Sequence, residues 1–169
     1  IKKKDNGRVK IITGIRRCGK SYLLFNLYKG YLLQNGINEE QIVEIALDEV
    51  ENIQYRDPFA LNEYIKNRVN SDKKYYIFID EIQFSEAVQN PYLDEHSEKI
   101  TFIDVLLSLM KQNNLDIYVT GSNSKMLSKD VLTQFRDRGD EIRIYPLSFL
   151  EVQQCYEDKD KAWEDFIVC

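Results

Sequence analysis

Histidine is nearly missing from this sequence of 169 residues, with His96 the single example, and its three cysteines stand far apart without paired spacing. Neither a zinc site nor a disulfide framework is suggested by that usage, and a reducing cytoplasm is the expected setting. There is no apolar run near the roughly 20 residues that a membrane helix needs, and Ile1-Lys2-Lys3-Lys4-Asp5 has no apolar stretch behind it to act as a signal peptide. No membrane partner is expected. Basic residues are in the minority, 23 against 28 acidic ones for a formal charge of −5, which speaks against a surface built mainly to neutralise nucleic-acid phosphates. Nucleic acid is therefore a partner that net charge does not support, although a local basic patch is compatible with it. Internal repeats and low-complexity tracts are lacking too.

What is there has the balance of a globular domain, with 43% hydrophobic and 30% charged residues. The length suits one well-cored α/β domain and falls short of two. The chain opens on Ile1, and Trp163-Glu164-Asp165-Phe166-Ile167-Val168-Cys169 reads as an unfinished helix, so a fragment of a longer protein is expected.

Short apolar runs rich in β-branched and aromatic residues alternate with longer amphipathic ones. Val9–Thr13, Ile42–Leu47, Tyr75–Ile79, Ile117–Thr120 and Glu141–Tyr145 read as strands, the middle three nearly continuous in apolar character, as buried parallel strands are. Between them, Leu24, Leu27, Tyr28, Tyr31 and Leu32 recur at helical spacing, and Asn35-Gly36 supplies a stop. Asp57-Pro58 caps and opens a helix with Leu61, Ile65 and Val69 on one face. Phe102 to Met110 makes a third helix and Ser128–Gln134 a shorter one. Phe84–Lys99 is polar and long for a connection of this kind, an inserted loop. The expectation is an α/β fold, a three-layer αβα sandwich with a five-stranded, mostly parallel sheet, divided into a core over 1–146 and the truncated start of a helical lid or linker over 147–169.

Gly14-Ile15-Arg16-Arg17-Cys18-Gly19-Lys20-Ser21 matches the phosphate-loop pattern and stands directly after an expected strand and before an expected helix. Glycines let consecutive amides turn inward at a helix N-terminus, Lys20 adds positive charge toward the β- and γ-phosphates, and the Ser21 hydroxyl can ligate Mg²⁺. With glycine at about 7% of average usage, the four fixed positions coincide by chance in roughly one chain of this size in a few hundred. The nucleotide-binding stretch is expected to include Gly14, Ile15, Arg16, Arg17, Cys18, Gly19, Lys20, Ser21 and Tyr22. Arg16 and Arg17 are more readily read as facing solvent or neighbouring loops than as ligands, and Cys18 as a small side chain that fits.

Tyr75–Ile79 ends in Asp80-Glu81. An aspartate at such a strand tip can hold Mg²⁺, which makes Ser21 and Asp80 the candidate metal residues, and the following Glu81 can act as general base on water. That glutamate separates a hydrolase from a small-molecule kinase, which needs no water-activating acid there. One strand and two helices lie between the loop and the acidic strand, the spacing of the ATPase division of P-loop folds, with an additional strand between the two. Thr120-Gly121-Ser122-Asn123-Ser124 supplies hydroxyls and an amide at the same sheet edge, where ligands of open parallel sheets bind. Arg136 and Arg138 precede the fifth strand and are candidates for an arginine presented to the γ-phosphate, in cis or from a neighbour. The candidate catalytic set is thus Glu81, Asp80, Lys20, Asn123, Arg136 and Arg138.

On the Ile12–Ser21, Phe78–Gln83, Thr120–Leu127 and Tyr145–Phe149 runs the chain resembles AAA+-like bacterial and archaeal ATPases that join an N-terminal AAA-type domain to a C-terminal domain of restriction-endonuclease-like fold. The resemblance implies Mg-ATP on Lys20 and Ser21, metal and water acids at Asp80 and Glu81, and a sensor within Thr120–Asn123. Asp137 interrupts the family's Arg-Gly-Arg form. The implied function is ATP hydrolysis driving a conformational change in an attached C-terminal domain or partner, with neighbouring copies in a homo-oligomer a candidate source of the arginine. The alternatives from other classes are a slow nucleotide-dependent switch and a small-molecule kinase.

Overall fold

The computed structural model describes residues 2–94, 98–121, 135 and 138–168. Five strands, β1 (Val9–Thr13), β2 (Ile42–Ala46), β3 (Tyr75–Asp80), β4 (Leu115–Gly121) and β5 (Gly139–Arg143), form one sheet in the order β2-β3-β4-β1-β5. Every pairing is parallel. Strand β4 lies between the strand before the phosphate loop and the strand carrying Asp80, as the spacing of the two motifs predicts. Two strands sit two residues earlier than their sequence pattern suggests: β4 begins at Leu115, and β5 begins where Gly139 pairs with Val9.

Alternation along the strands sorts side chains to two faces. Tyr75, Ile77 and Ile79 of β3 join Ile11, Val43, Ile45, Ile117 and Val119 in the larger core, which is covered by α2 (Pro58–Arg68) through Leu61 and Ile65 and by α3 (Phe102–Leu109) through Ile103, Leu106 and Leu109. Tyr76 and Phe78 face the other way, with Ile12 and Tyr118, under the helix that follows the phosphate loop. This helix, α1, runs through Lys20–Tyr22, a π-type stretch over Leu23–Tyr28, and Lys29–Gln34, and places Leu24 and Leu32 in the smaller core. The sheet therefore has helices on both sides.

The smaller core contains an ion pair. Lys10 and Asp116 are both buried and in contact, and Asp116 also accepts from Tyr118 Oη at 2.9 Å and from the Asp5 amide at 3.0 Å. Tyr118 Oη meets Tyr28 Oη at 2.6 Å, which links the pair to the π-type stretch of α1. Burial pushes both phenols above their usual range, so both stay neutral donors.

Helix α2 starts as expected, with Asp57 accepting from the Phe59 and Ala60 amides ahead of Pro58. In the described part of the insertion, Val88 and Ile100 exchange two backbone hydrogen bonds, and Glu86 N–H reaches Arg56 O at 2.9 Å. Two short helices follow β5, α4 (Phe149–Gln153) and α5 (Lys159–Val168), joined by edge-on contacts of Phe149 with Trp163 and Phe166. The short helix expected over Ser128–Gln134 lies outside the described residues. No helix among the described residues is long and apolar enough to cross a membrane.

Candidate nucleotide site

All five strands point their C-terminal ends to one edge, where the loop after β1 and the acids after β3 meet. Gly14 leaves β1 in close contact with the backbone of the residue after β5: a Cβ there would lie 2.5 Å from Ile144 O and 2.7 Å from Cys18 Sγ. The loop then curls through Arg17 (φ 63°) and Gly19 (φ 88°), both left-handed. Gly19 caps α1 without a side chain, so the first-turn amides are left for oxygens of another molecule. Lys20 is only 4% exposed, and its ammonium donates to Gly14 O at 3.2 Å and Ile15 O at 2.9 Å. The loop thus folds around its own cation. Ile15, Arg16, Arg17 and Tyr22 are exposed, and Cys18 is half-buried.

Ser21, in the first turn of α1, places its hydroxyl where it favours the charged form of the Asp80 carboxyl. Asp80 is 4% exposed. Burial pushes its carboxyl above the ordinary range, opposed by the Ser21 and Thr120 hydroxyls and reinforced by the charges of Glu81 and Asp48. A carboxylate held charged against burial favours a cation beside it. Among the described residues no group of three or more His, Cys, Asp or Glu side chains could hold a metal, while a hydroxyl and a carboxylate at one sheet edge fit Mg²⁺, which takes one or two protein oxygens and completes its octahedron with water and phosphate.

Glu81 turns sharply out of β3 with φ 51° and ψ 48°, a left-handed conformation that costs a non-glycine residue about 1–2 kcal/mol. Its amide donates to Thr120 Oγ1 at 3.1 Å, and its carboxylate accepts from the Gln83 side-chain amide. Glu81, Arg16 and Arg17 line one cleft of about 480 Å³. The structure thus brings Lys20, Ser21, Asp80 and Glu81 to one edge with Thr120 behind the acids.

Arg138 stands elsewhere. Its carbonyl accepts from Val9 N–H at 3.1 Å, which puts it at the start of β1 and β5, the opposite edge of the sheet from the loop. Asn123 and Arg136 lie outside the described residues, as does the segment 122–134 that follows β4. Asp48 and Gln83 are contributors that sequence reasoning passed over; an acid directly after the apolar run ending at Leu47 was the available signal for the first.

A five-stranded parallel sheet in this order, with the phosphate loop after β1 and an acidic pair after β3, defines a P-loop NTPase core of the AAA+-like ATPase type. The chain belongs to the family of AAA domains, whose model matches residues 6–153. It is 37% identical over 152 residues to an uncharacterized protein of Haemophilus influenzae, covering 89% of this chain and 34% of that one. It is 31% identical over 148 residues to an uncharacterized protein of Methanocaldococcus jannaschii, covering 85% and 28%. The chain spans about a third of the length of these relatives. Among solved structures it is similar in fold to Caenorhabditis elegans PCH-2 (TM-score 0.55, 13% identity, 88% of this chain and 38% of that one). It is also similar to the genome packaging NTPase B204 of Sulfolobus turreted icosahedral virus 2, solved with AMPPCP (TM-score 0.51, 15% identity, 93% and 85%).

Proposed function

We propose that the chain binds Mg-ATP on Gly14–Ser21 and hydrolyses the γ-phosphate with Asp80 and Glu81. The observation that carries this reading is the loop itself: Lys20 is buried and donates to the Gly14 and Ile15 carbonyls at an uncapped helix N-terminus, on the sheet edge where Asp80 and Glu81 end β3. Lys20 would exchange the Gly14 and Ile15 carbonyls for β- and γ-phosphate oxygens, and the uncapped amides of α1 would take the remaining negative charge. Mg²⁺ on Ser21 and Asp80 would neutralise charge between the β- and γ-phosphates. Glu81 would orient and deprotonate water in line with the γ-phosphorus, a role that needs its carboxylate in the cleft it shares with Arg16 and Arg17. The sensor and arginine roles proposed for Asn123 and Arg136 complete this scheme. Arg138, at the far edge, would serve the site of a neighbouring copy in a homo-oligomer and not its own.

Hydrolysis in this reading moves an attached part of the protein, since the relatives are about three times as long as the segment shared with this chain. The stretch 147–169 would begin the helical lid that transmits the movement. One contact favours the second reading, a switch with little turnover: the Gln83 side-chain amide donates to the Glu81 carboxylate, a bond that would compete with an attacking water for the general base. Single-turnover hydrolysis by the full-length protein separates the two. Wild type is expected to release inorganic phosphate about 10²–10⁴-fold faster than Glu81→Gln. Equal rates near background favour the switch, and phosphate appearing on an added acceptor favours a kinase.

A further inference from the structure

The Thr120 hydroxyl has one proton to give and two lone pairs, and its environment uses both capacities. The proton goes to Asp80 Oδ1, and a lone pair receives the Glu81 amide at 3.1 Å. Thr120 is fully buried, and it lies in β4 opposite Ile12 of β1, where the ladder fixes its backbone. A β-branched side chain has few χ1 choices, so the strand dictates where this hydroxyl points. One atom of the central sheet thereby sets both the side chain of Asp80 and the backbone of Glu81, at the residue where the chain leaves β3 in a left-handed turn.

We infer that Thr120 is a positioning residue for hydrolysis, holding the Asp80 carboxylate and the Glu81 turn in register with the phosphate loop. The inference rests on the hydrolysis reading above and adds a residue that touches neither nucleotide nor water. It also separates Thr120 from the sensing role: with its proton committed to Asp80, the hydroxyl has none to donate to a γ-phosphate, and sensing falls to the residues after Gly121.

The test uses the full-length protein with Thr120→Val, an isosteric change that deletes the donor and acceptor, and Thr120→Ser, which keeps them. Misplacing a reacting group by about 1 Å costs on the order of 10²-fold in rate, so Thr120→Val is expected to lose about that much in kcat with KM for ATP unchanged. Thr120→Ser is expected to restore most of the rate, and adding Thr120→Val to Glu81→Gln to cause little further loss. A wild-type kcat in Thr120→Val, a loss confined to KM, or full multiplication of the two defects overturns the inference. Hydrogen exchange at the Glu81 amide without nucleotide reads the same bond independently of turnover: Thr120→Val must lose protection there, and retained protection overturns the inference whatever the ATPase assay shows. If Thr120→Val does not fold, Thr120→Ala, which also lacks the hydroxyl, replaces it with the same expectations. Failure of the wild type to hydrolyse ATP counts against the hydrolysis reading alone.

Discussion

The Ser21 hydroxyl stands close enough to the Asp80 carboxylate to favour its charged form, bringing the first turn of α1 to the end of β3 although β4 lies between β1 and β3 in the sheet. The two residues meet because parallel strands end together at one edge. Any loop that leaves β1 and re-enters a helix there faces whatever follows β3. The phosphate loop and the acidic pair are thus halves of one site by topology, before any ligand is considered.

Removing the Asp80 charge should separate stability from function. Burial disfavours that charge in the folded chain, and Asp80→Asn keeps an oxygen to accept from Thr120. The variant is expected to melt, without nucleotide, at or above the wild-type temperature, and to lose the Mg²⁺ dependence of stabilisation by ATP. Thermal melts with ATP plus Mg²⁺ against ATP plus EDTA check both halves, and a lower Tm without nucleotide would contradict the account.

The buried Lys10–Asp116 pair makes the opposite prediction. Lys10→Met leaves Asp116 buried beside Tyr118 without its cation, a loss expected to cost about 3–5 kcal/mol. Urea unfolding should show the whole effect as a lower midpoint at constant slope. The ATP-induced stabilisation of whatever fraction folds should persist, because the pair lies near the starts of β1 and β4, away from the loop.

Two glycines should respond in opposite directions. Gly14→Ala drives a methyl group into Ile144 O and Cys18 Sγ, an overpacking expected to cost about 1–3 kcal/mol and to weaken nucleotide binding through the displaced loop. Gly30→Ala, inside α1 with nothing within 4 Å of the added Cβ, should stabilise by about 0.5–1 kcal/mol. Chemical denaturation of the two variants beside wild type tests the pair.

Much of this was legible in the residues alone. The three buried strands announced themselves through near-continuous apolar runs, and the order of loop, extra strand and acids carried the sheet topology. β5 begins two residues before its apolar pattern because it is an edge strand with Asp140, Glu141 and Arg143 among its residues, so apolar content marks it weakly. The ion pair was not legible: a lysine in a strand ordinarily faces solvent, and nothing local links Lys10 to a carboxylate 106 positions away. The position of Arg138 was legible too, since the residue before a parallel strand lies at the edge opposite the strand tips that bind ligands. The π-type stretch of α1 left no pattern, because its apolar spacing still fits an ordinary helix.

The central claim is that the Gly14–Ser21 loop holds a nucleoside triphosphate through Lys20, and the most direct measurement is the shift in thermal stability that Mg-ATP produces in wild type and in Lys20→Ala. At a ligand concentration a hundredfold above Kd, wild type is expected to gain about 2.7 kcal/mol, roughly 5–10 °C for a chain of this size, and Lys20→Ala to gain nothing. An equal ATP-dependent shift in both proteins would contradict the account.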